Sequence, residues 1–235
     1  MSIWGSLTFA PMIGLRLGRL IALATLIAGT VYGSNPFLDA KDDNSISAIF
    51  HGAEWGDDIP QDEIGLSARV VTTRIAKMSW GAIFKIEFTE IKSHAEQKRE
   101  ITSEYFIVTD DRIVLLNEED NEAAAKKIAA LDKPPEFDPS YVYGITSGKV
   151  ERQDGPYTTE IELKGDQCIY STHHNSGHFK KVVWKKGVGL VEYSMGYGAM
   201  KDGFRLKRGS TKRYKASPGT GWNSRPSVTF VAFRC

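Results

Sequence analysis

Alternating apolar and polar residues restrict this chain to strands over much of its length. Apolar side chains stand at every second position between residues 82 and 88, as Ala82, Phe84, Ile86 and Phe88. Residues 157–163 repeat this spacing with Tyr157, Thr159, Ile161 and Leu163. A period of two sends successive side chains to opposite faces of a strand. Both segments are therefore predicted to be strands with one buried face and one solvated face.

Short turns connect the predicted strands and set the expected fold class. Asp110-Asp111, Gly165-Asp166 and Lys185-Lys186-Gly187 each separate two apolar runs, as hairpin turns do. Antiparallel neighbours in sequence order are the simplest wiring for such a chain. We expect a mainly β protein whose curved antiparallel sheet forms a half-barrel or a sandwich, with one helix beyond the N-terminal leader.

The single helix is predicted between two of these strands. Asn117 is its expected N-cap, because the acidic residues that follow favour the positive end of a helix dipole. Ala124, Ile128 and Leu131 form a narrow apolar stripe, which we expect to lie on the sheet. Pro134-Pro135 would end the helix, since proline cannot continue it.

Residues 1–33 are predicted to be a signal peptide. Arg16 and Arg19 precede an apolar run from Leu20 to Val31, the order of segments typical of export signals. That run is shorter than the roughly 20 residues that a helix needs to span a bilayer. With cleavage after Gly33, the mature chain is expected to be periplasmic or secreted and to lack a membrane span.

Composition bounds the rest of the chain. Residues 34–235 are expected to form one β-rich domain, and the Pro-rich stretch 133–139 is the point at which it would divide into two halves. A formal net charge of +1 gives no general attraction to nucleic acid.

Residues 35–45 are interpreted as a loose lead-in and the acidic stretch 51–63 as a solvated loop. The basic segment 201–215 is interpreted as a solvated face or loop, with contact to an anionic lipid, a polysaccharide or an acidic partner as the alternative.

The chain has two cysteines, Cys168 and Cys235. In an exported chain a single pair of this kind predicts one disulfide, which would fasten the last strand to the segment around Cys168. The two residues do not form a CxxC motif, so neither a metal site nor a reactive thiol is expected from them. No cofactor is expected.

The segment HHNSGH contains His173, His174 and His178 between two predicted strands. Neutral imidazoles bind zinc, but His173 and His174 are adjacent and point to opposite faces of an extended backbone. His174 and His178 would share an ion only if the loop folds back, with Asp166 or Glu192 as a third ligand. An acid–base role and a plain polar loop are the alternatives, and the absence of an HExxH motif favours the latter.

Aromatic residues crowd around glycine turns in the segment that follows. Trp184, Tyr193 and Tyr197, together with His174 and His178, are the candidate ligand-binding residues. The run WKKGVGLVEY, which begins at Trp184, resembles the C-terminal strands of uncharacterised families of exported bacterial β-rich proteins. This resemblance implies a curved antiparallel sheet, in some relatives with an apolar concave face, and it carries no site residues over.

These features favour a non-enzymatic function. We expect an exported binding or envelope-associated module that presents an apolar or aromatic surface to a small apolar ligand or an envelope component. The alternative is a metal-dependent or acid–base hydrolase centred on the HHNSGH loop. No G-x-S-x-G elbow is present, so no catalytic residue is assigned.

Overall fold

The computed structural model describes residues 35–38, 45–56, 64–93, 99–198 and 202–209. The predicted signal peptide and Cys235 lie outside the described residues. Twelve strands, one α-helix and one short 3-10 helix form in the part described. Their bounds are β1 Ser45–Trp55, β2 Ile64–Lys77, β3 Ala82–Ser93, β4 Glu104–Val108, β5 Arg112–Leu116, α1 Asn121–Ala129, the 3-10 helix Pro139–Tyr141, β6 Val142–Ile145, β7 Lys149–Asp154, β8 Tyr157–Lys164, β9 Gln167–His174, β10 Phe179–Lys185, β11 Gly189–Tyr197 and β12 Asp202–Arg208.

The strands form one antiparallel sheet that curls into a nearly closed barrel. Its order is β6-β5-β4-β3-β2-β1-β12-β11-β10-β9-β8-β7. The first and last of the described strands, β1 and β12, pair with each other over Phe50–Trp55. At the open edge, β6 also contacts β8 and β9. The predicted fold class, a mainly β protein with a curved antiparallel sheet and one helix, is confirmed.

The barrel consists of two six-stranded meanders, β1 to β6 and β7 to β12. The chain passes from one to the other at the turn 146–148, where Gly148 has φ 79°. The Pro-rich stretch 133–139, at which the sequence would divide the domain, lies inside the first meander between α1 and β6.

Side chains from both meanders fill the interior as one apolar core. Phe84 and Phe106 from the first meander meet Ile161, Trp184 and Leu206 from the second, and all five are at most 2% exposed. Phe106 and Trp184 pack edge to face with their ring centroids 5.3 Å apart. Burying rings of this size supplies the main favourable term in folding.

Residues 35–38 pack against the core, and the expected loose lead-in is wrong there. Asn35 is fully buried, and its side-chain amide donates to the carbonyl of Thr109 at 2.8 Å. Phe37 is 1% exposed. Gly187 donates its backbone N–H to the Pro36 carbonyl at 2.8 Å, which ties this segment to the β10–β11 turn.

Helix α1 covers the outer face of the sheet, as predicted, but it begins later than expected. Its N-cap is Asp120, whose side chain accepts from the backbone N–H of Ala123, rather than Asn117. Ala125 is its buried residue, and Leu131 lies beyond the helix and is 42% exposed. No helix in the described part of the chain is long and apolar enough to cross a bilayer.

The described part of each charged segment lies largely in a strand: residues 51–55 belong to β1 and residues 202–208 to β12. The loop expected for the acidic stretch is wrong for residues 51–55, whereas the basic segment was expected to be a solvated face or a loop. Phe204 and Leu206 in β12 are buried, while Arg205 and Lys207, which alternate with them, are exposed. Arg205 and Lys207 therefore occupy the outer face of a strand whose inner face belongs to the core. In β1, the carboxylate of Glu54 is only 1% exposed, so part of the acidic stretch lies inside the barrel.

The β1–β12 seam depends on a glycine. A Cβ added at Gly52 would overlap the backbone carbonyl of Arg205 and lie 3.1 Å from the Cα of Leu206. We predict that Gly52→Ala lowers the free energy of unfolding by about 2 kcal/mol, because it forces the two strands apart. Urea denaturation measures this loss, with Ser47→Ala on the exposed part of β1 as the control. Equal stability of the two variants would contradict the close approach.

Candidate functional site

Two of the aromatic residues predicted to bind ligand belong to the core. Trp184 is fully buried, and its indole N–H donates to the carbonyl of Tyr143 in β6 at 2.9 Å. Tyr193 is 2% exposed, and its ring lies 4.9 Å from that of Phe88 and 5.9 Å from that of Phe204. Both rings therefore hold the walls of the barrel together.

The other three predicted residues meet at one end of the barrel. His174 and His178, at the β9–β10 hairpin, are partly buried with ring centroids 5.4 Å apart. His178 packs edge to face on Tyr197 at 5.6 Å, and His174 lies 4.5 Å from Tyr157. His173 projects from the opposite face of β9 and is exposed, as the sequence predicts for adjacent positions.

This histidine cluster does not have the geometry of a metal site. Asp166 lies at the far end of β9, and Glu192 pairs with Lys181 and Lys207 at 3.2 Å, so neither is a third ligand. The Nδ1 atom of His174 accepts from the backbone N–H of Ser176 at 3.0 Å. No group of three or more histidine, cysteine or acidic side chains in the described residues is arranged to hold a metal ion.

A serine lies beside His174, but the pair is not arranged as a catalytic one. The Oγ atom of Ser176 is 2.6 Å from Nδ1 of His174, within the exposed hairpin turn. A nucleophile of this type requires a base that a third group orients. Nδ1 is already held by the turn itself, and the neighbours of the ring are the aromatic groups of Tyr157 and His178. The contacts are those of a local turn.

A buried ion pair crosses the barrel just below these residues. Glu104 begins β4, and its carboxylate binds the ammonium group of Lys180 in β10, on the opposite wall. The two side chains are 14% and 15% exposed. Tyr193 in β11 donates its hydroxyl to the same carboxylate oxygen at 3.0 Å. The ammonium also lies over the ring of Tyr143 at 4.8 Å, a favourable cation–π position.

Burial and charge act in opposite directions on these groups. Burial alone lowers the pKa of Lys180, but the carboxylate of Glu104 outweighs it and the pKa is raised above its usual value. Burial raises the pKa of Tyr193, and the same carboxylate raises it further. Lys180 is therefore charged and Tyr193 is neutral at neutral pH.

A second buried ionic cluster lies nearer the same end. Arg99 donates to Glu54 at 2.8 Å and to Asp202 at 2.7 Å, and Ser93 donates its hydroxyl to Glu54. The guanidinium of Arg99 stands 5.3 Å from the ring centroid of Phe204. One guanidinium thus ties β1 and β12 to the segment that precedes β4. Sequence reasoning missed both clusters, since no local spacing connects their members.

The opposite end of the barrel contains a small apolar cleft of about 40 Å³. It opens where β1 and β2 face the β10–β11 turn, above the packed segment 35–38. Ile46 at its rim is 41% exposed. The cleft is lined by Phe37, Leu38, Ile46, Ala48, Phe50, Val70, Thr72, Phe84, Gly187, Val188, Gly189, Leu190 and Arg208.

The glycine turn predicted to border a binding surface forms one wall of this cleft. Gly189 has φ 91°, and a Cβ there would contact the segment 35–38 at 3.8 Å. Arg208 donates to the carbonyl of Val188 at 2.7 Å and so holds the turn in place. The aromatic residues of the prediction lie elsewhere. Ile46, Ala48 and Val70 line the cleft instead, together with three other aromatic residues, Phe37, Phe50 and Phe84.

Comparison with models of protein families and with curated proteins gave no match to this chain. The functional assignment therefore depends on the geometry of its own residues. Of the sites described, the apolar cleft is the one that combines an apolar lining, an exposed rim and a nearby cation.

The Glu104–Lys180 pair yields a prediction about stability. Glu104→Gln leaves the Lys180 charge buried without a counter-charge and is expected to cost about 3 kcal/mol of the free energy of unfolding. Glu87→Gln, which removes the carboxylate of the partly exposed Lys85–Glu87 pair, is expected to change it little. Urea denaturation of both variants gives the comparison.

A double variant separates the charge from the packing. Glu104→Leu combined with Lys180→Met replaces both charges by apolar groups, and we expect it to recover most of the stability lost in Glu104→Gln. If the double variant were the less stable of the two, the loss would come from packing and hydrogen bonds rather than from the unpaired charge.

Proposed function

We propose that this chain is an exported, non-enzymatic binding protein whose apolar cleft receives the aliphatic chain of an anionic amphiphile. The observation that carries the proposal is the cleft itself, an apolar depression with the exposed Ile46 at its rim. Exposed apolar groups around a depression mark binding surfaces more often than isolated exposed side chains do. The contacts of His174 and Ser176 favour this function over the hydrolase alternative.

The size of the cleft selects the kind of apolar group. An apolar cavity of about 150 Å³ accommodates benzene, whereas this cleft has about 40 Å³. A narrow aliphatic chain end therefore fits better than an aromatic ring. Each methylene group removed from water contributes roughly 0.8 kcal/mol. The affinity therefore depends on how much of the ligand's aliphatic chain lies against Ala48 and Val70.

Arg208 supplies the preference for an anionic head group. Its guanidinium lines the cleft and donates one hydrogen bond to Val188. A guanidinium carries five N–H donors in a planar fork that suits a carboxylate or a phosphate. The head group would then lie at the rim while the chain occupies the apolar floor formed by Phe37 and Leu38.

Export is part of the proposal, and the predicted leader at 1–33 supports it. So does the resemblance of the segment 184–193 to exported bacterial β-rich proteins. An oxidising location would allow a disulfide between Cys168 and Cys235. In the structure Cys168 is a free, buried thiol whose sulfur accepts from the backbone N–H of Ile145 at 3.4 Å, and Cys235 lies outside the described residues.

Ligand binding is tested with dodecanoate below its micelle concentration. Isothermal titration is expected to give one site per chain, and Ala48→Phe, which fills the cleft, should weaken binding at least tenfold. Ile49→Phe is the matched control, because Ile49 neighbours Ala48 on the same strand but points to the other face. Arg208→Gln is expected to weaken the binding of dodecanoate more than the binding of dodecanol, which has no carboxylate. Equal affinities for the Ala48 and Ile49 variants would contradict the assignment of the cleft.

The state of Cys168 is tested by alkylation with and without reductant. Burial raises the pKa of its thiol, so the folded chain should resist iodoacetamide at pH 8. For protein purified from the periplasm, we expect no modification in denaturant either, and two modified cysteines after reduction. Modification in denaturant without reductant would contradict the disulfide and leave the rest of the proposal in place.

A further inference from the structure

Three of the four large apolar side chains that are exposed in the described part of the chain lie at one end of the barrel. Ile46, Ile75 and Leu131 are each 41% or 42% exposed. The start of β1, which holds Ile46, meets the end of β2, which holds Ile75, in antiparallel pairing. The carbonyl of Leu131 accepts from the indole N–H of Trp80 at 2.9 Å, and Trp80 lies in the β2–β3 turn. This end also contains the apolar cleft and is called the cleft end below.

Trp80 adds an amphipathic ring to the cleft end. The turn that carries it is closed by a hydrogen bond from the backbone N–H of Met78 to the carbonyl of Gly81 at 2.8 Å. The ring is partly buried, and its indole N–H fixes the turn to the segment that follows α1. Tryptophan in such a position suits a boundary between water and lipid head groups, where one part of the ring is apolar and the other is polar.

Basic side chains accompany these apolar groups. Lys77 at the end of β2 and Lys186 in the β10–β11 turn are exposed, and Arg208 lies beside the cleft. With three residues on either side, the five hairpin turns at the cleft end, together with residues 206–209, carry eight basic and five acidic side chains.

The opposite end has the opposite charge. Segments 56–63 and 117–122, which follow β1 and β5 there, carry eight acidic and no basic side chains. A net charge of only +1 therefore conceals an uneven distribution along the barrel axis. Such a distribution would orient the protein with its cleft end toward a negatively charged surface.

Two segments outside the described residues join the cleft end and alter its charge. Residues 210–235, which follow β12, contain five basic and no acidic side chains. Residues 39–44, which precede β1, contain one basic and three acidic side chains. Together they add positive charge to the part of the sequence that is attached to this end.

A lipid surface fits the cleft end better than a protein partner does. A stable protein interface buries roughly 800 Å² on each partner and has a continuous apolar centre. At the cleft end the apolar groups come from separate turns, and Lys77 stands between Ile75 and Trp80 in the chain. A bilayer adapts to such a surface, because apolar side chains enter the head-group region one by one while lysines remain beside anionic lipids.

We propose that the cleft end docks on the surface of an anionic lipid bilayer, with Ile46, Ile75 and Leu131 entering the head-group region and Lys77 and Lys186 facing anionic lipids. Docking itself requires no ligand in the cleft. Its consequence rests on the proposed function, since an amphiphile would then pass between the bilayer and the cleft beside Ile46 without crossing water.

Vesicle flotation measures docking, using protein purified from the periplasm and vesicles of phosphatidylcholine with or without phosphatidylglycerol. We expect binding to the anionic vesicles and its loss as salt screens the charges. Ile75→Ser should weaken binding about tenfold, because less apolar surface enters the head-group region. Ile49→Ser is the matched control and should leave binding unchanged, since Ile49 is 41% exposed but lies on the outer face of β1.

A second pair of variants tests the charge. Lys77→Gln should weaken docking about fivefold, the effect of removing one cation near an anionic leaflet. Lys92→Gln makes the same change in net charge and should leave docking unchanged. Lys92 is exposed near the end of β3, at the opposite end of the β2–β3 pair.

Ala48→Phe, which fills the cleft, separates docking from the function proposed for the cleft. It should weaken dodecanoate binding and leave vesicle binding unchanged. Circular dichroism and thermal unfolding show which variants are folded. The proposal is overturned if folded Ile75 and Lys77 variants bind anionic vesicles as tightly as the unchanged protein, if the unchanged protein does not bind them, or if heparin, a soluble polyanion, binds it more tightly than the vesicles do.

Discussion

The contact between Glu104 and Lys180 shows that the barrel has a packed interior rather than an open lumen. β4 and β10 lie on opposite walls of the sheet, yet the side chains of Glu104 and Lys180 meet directly, and Tyr193 donates its hydroxyl to Glu104. A twelve-stranded barrel with a round section would leave a wide lumen. Here the walls approach until a carboxylate and an ammonium are in contact, and the interior becomes a core. Removing one partner would leave a buried charge, so the pair restricts which side chains can face each other across the barrel.

Because the interior of the barrel is filled by side chains, a ligand can reach only the two ends of the barrel and its outer surface. Toward one end the interior is polar, and Arg99 fastens β1 and β12 through Glu54 and Asp202. Toward the other end it is apolar, and the segment 35–38 packs beneath the β10–β11 turn. The cleft at this apolar end is bordered by the turn on one side and by β1 and β2 on the other.

Local pattern was sufficient to predict the strands whose two faces differ strongly. The alternation around Phe84 and Ile161 identified β3 and β8, and the turn at 165–166 separates β8 from β9 as expected. Local pattern was insufficient in segments where charged residues outnumber the buried apolar ones. Around β12 the basic residues predicted a solvated face or a loop but not a strand, although Phe204 and Leu206 alternate with Arg205 and Lys207 on the inner face. Glu54 was assigned to solvent because its partner Arg99 is 45 positions away, and no spacing rule connects such a pair.

The lack of long-range information in a local pattern also explains why Trp184 and Tyr193 were predicted to bind a ligand although they belong to the core. Trp184 and Tyr193 are large aromatics, a residue type that serves equally in cores and in binding sites, so composition could not separate the two. Their burial follows from register, since Val182 pairs with both Tyr170 and Tyr193 and is itself fully buried. Trp55 and Phe179 show the same dependence on the outer face, where their rings occupy the space that a side chain at Gly203 or Gly196 of a neighbouring strand would fill. Register between distant segments, which local sequence does not encode, therefore determines whether an aromatic side chain becomes core or surface in this barrel.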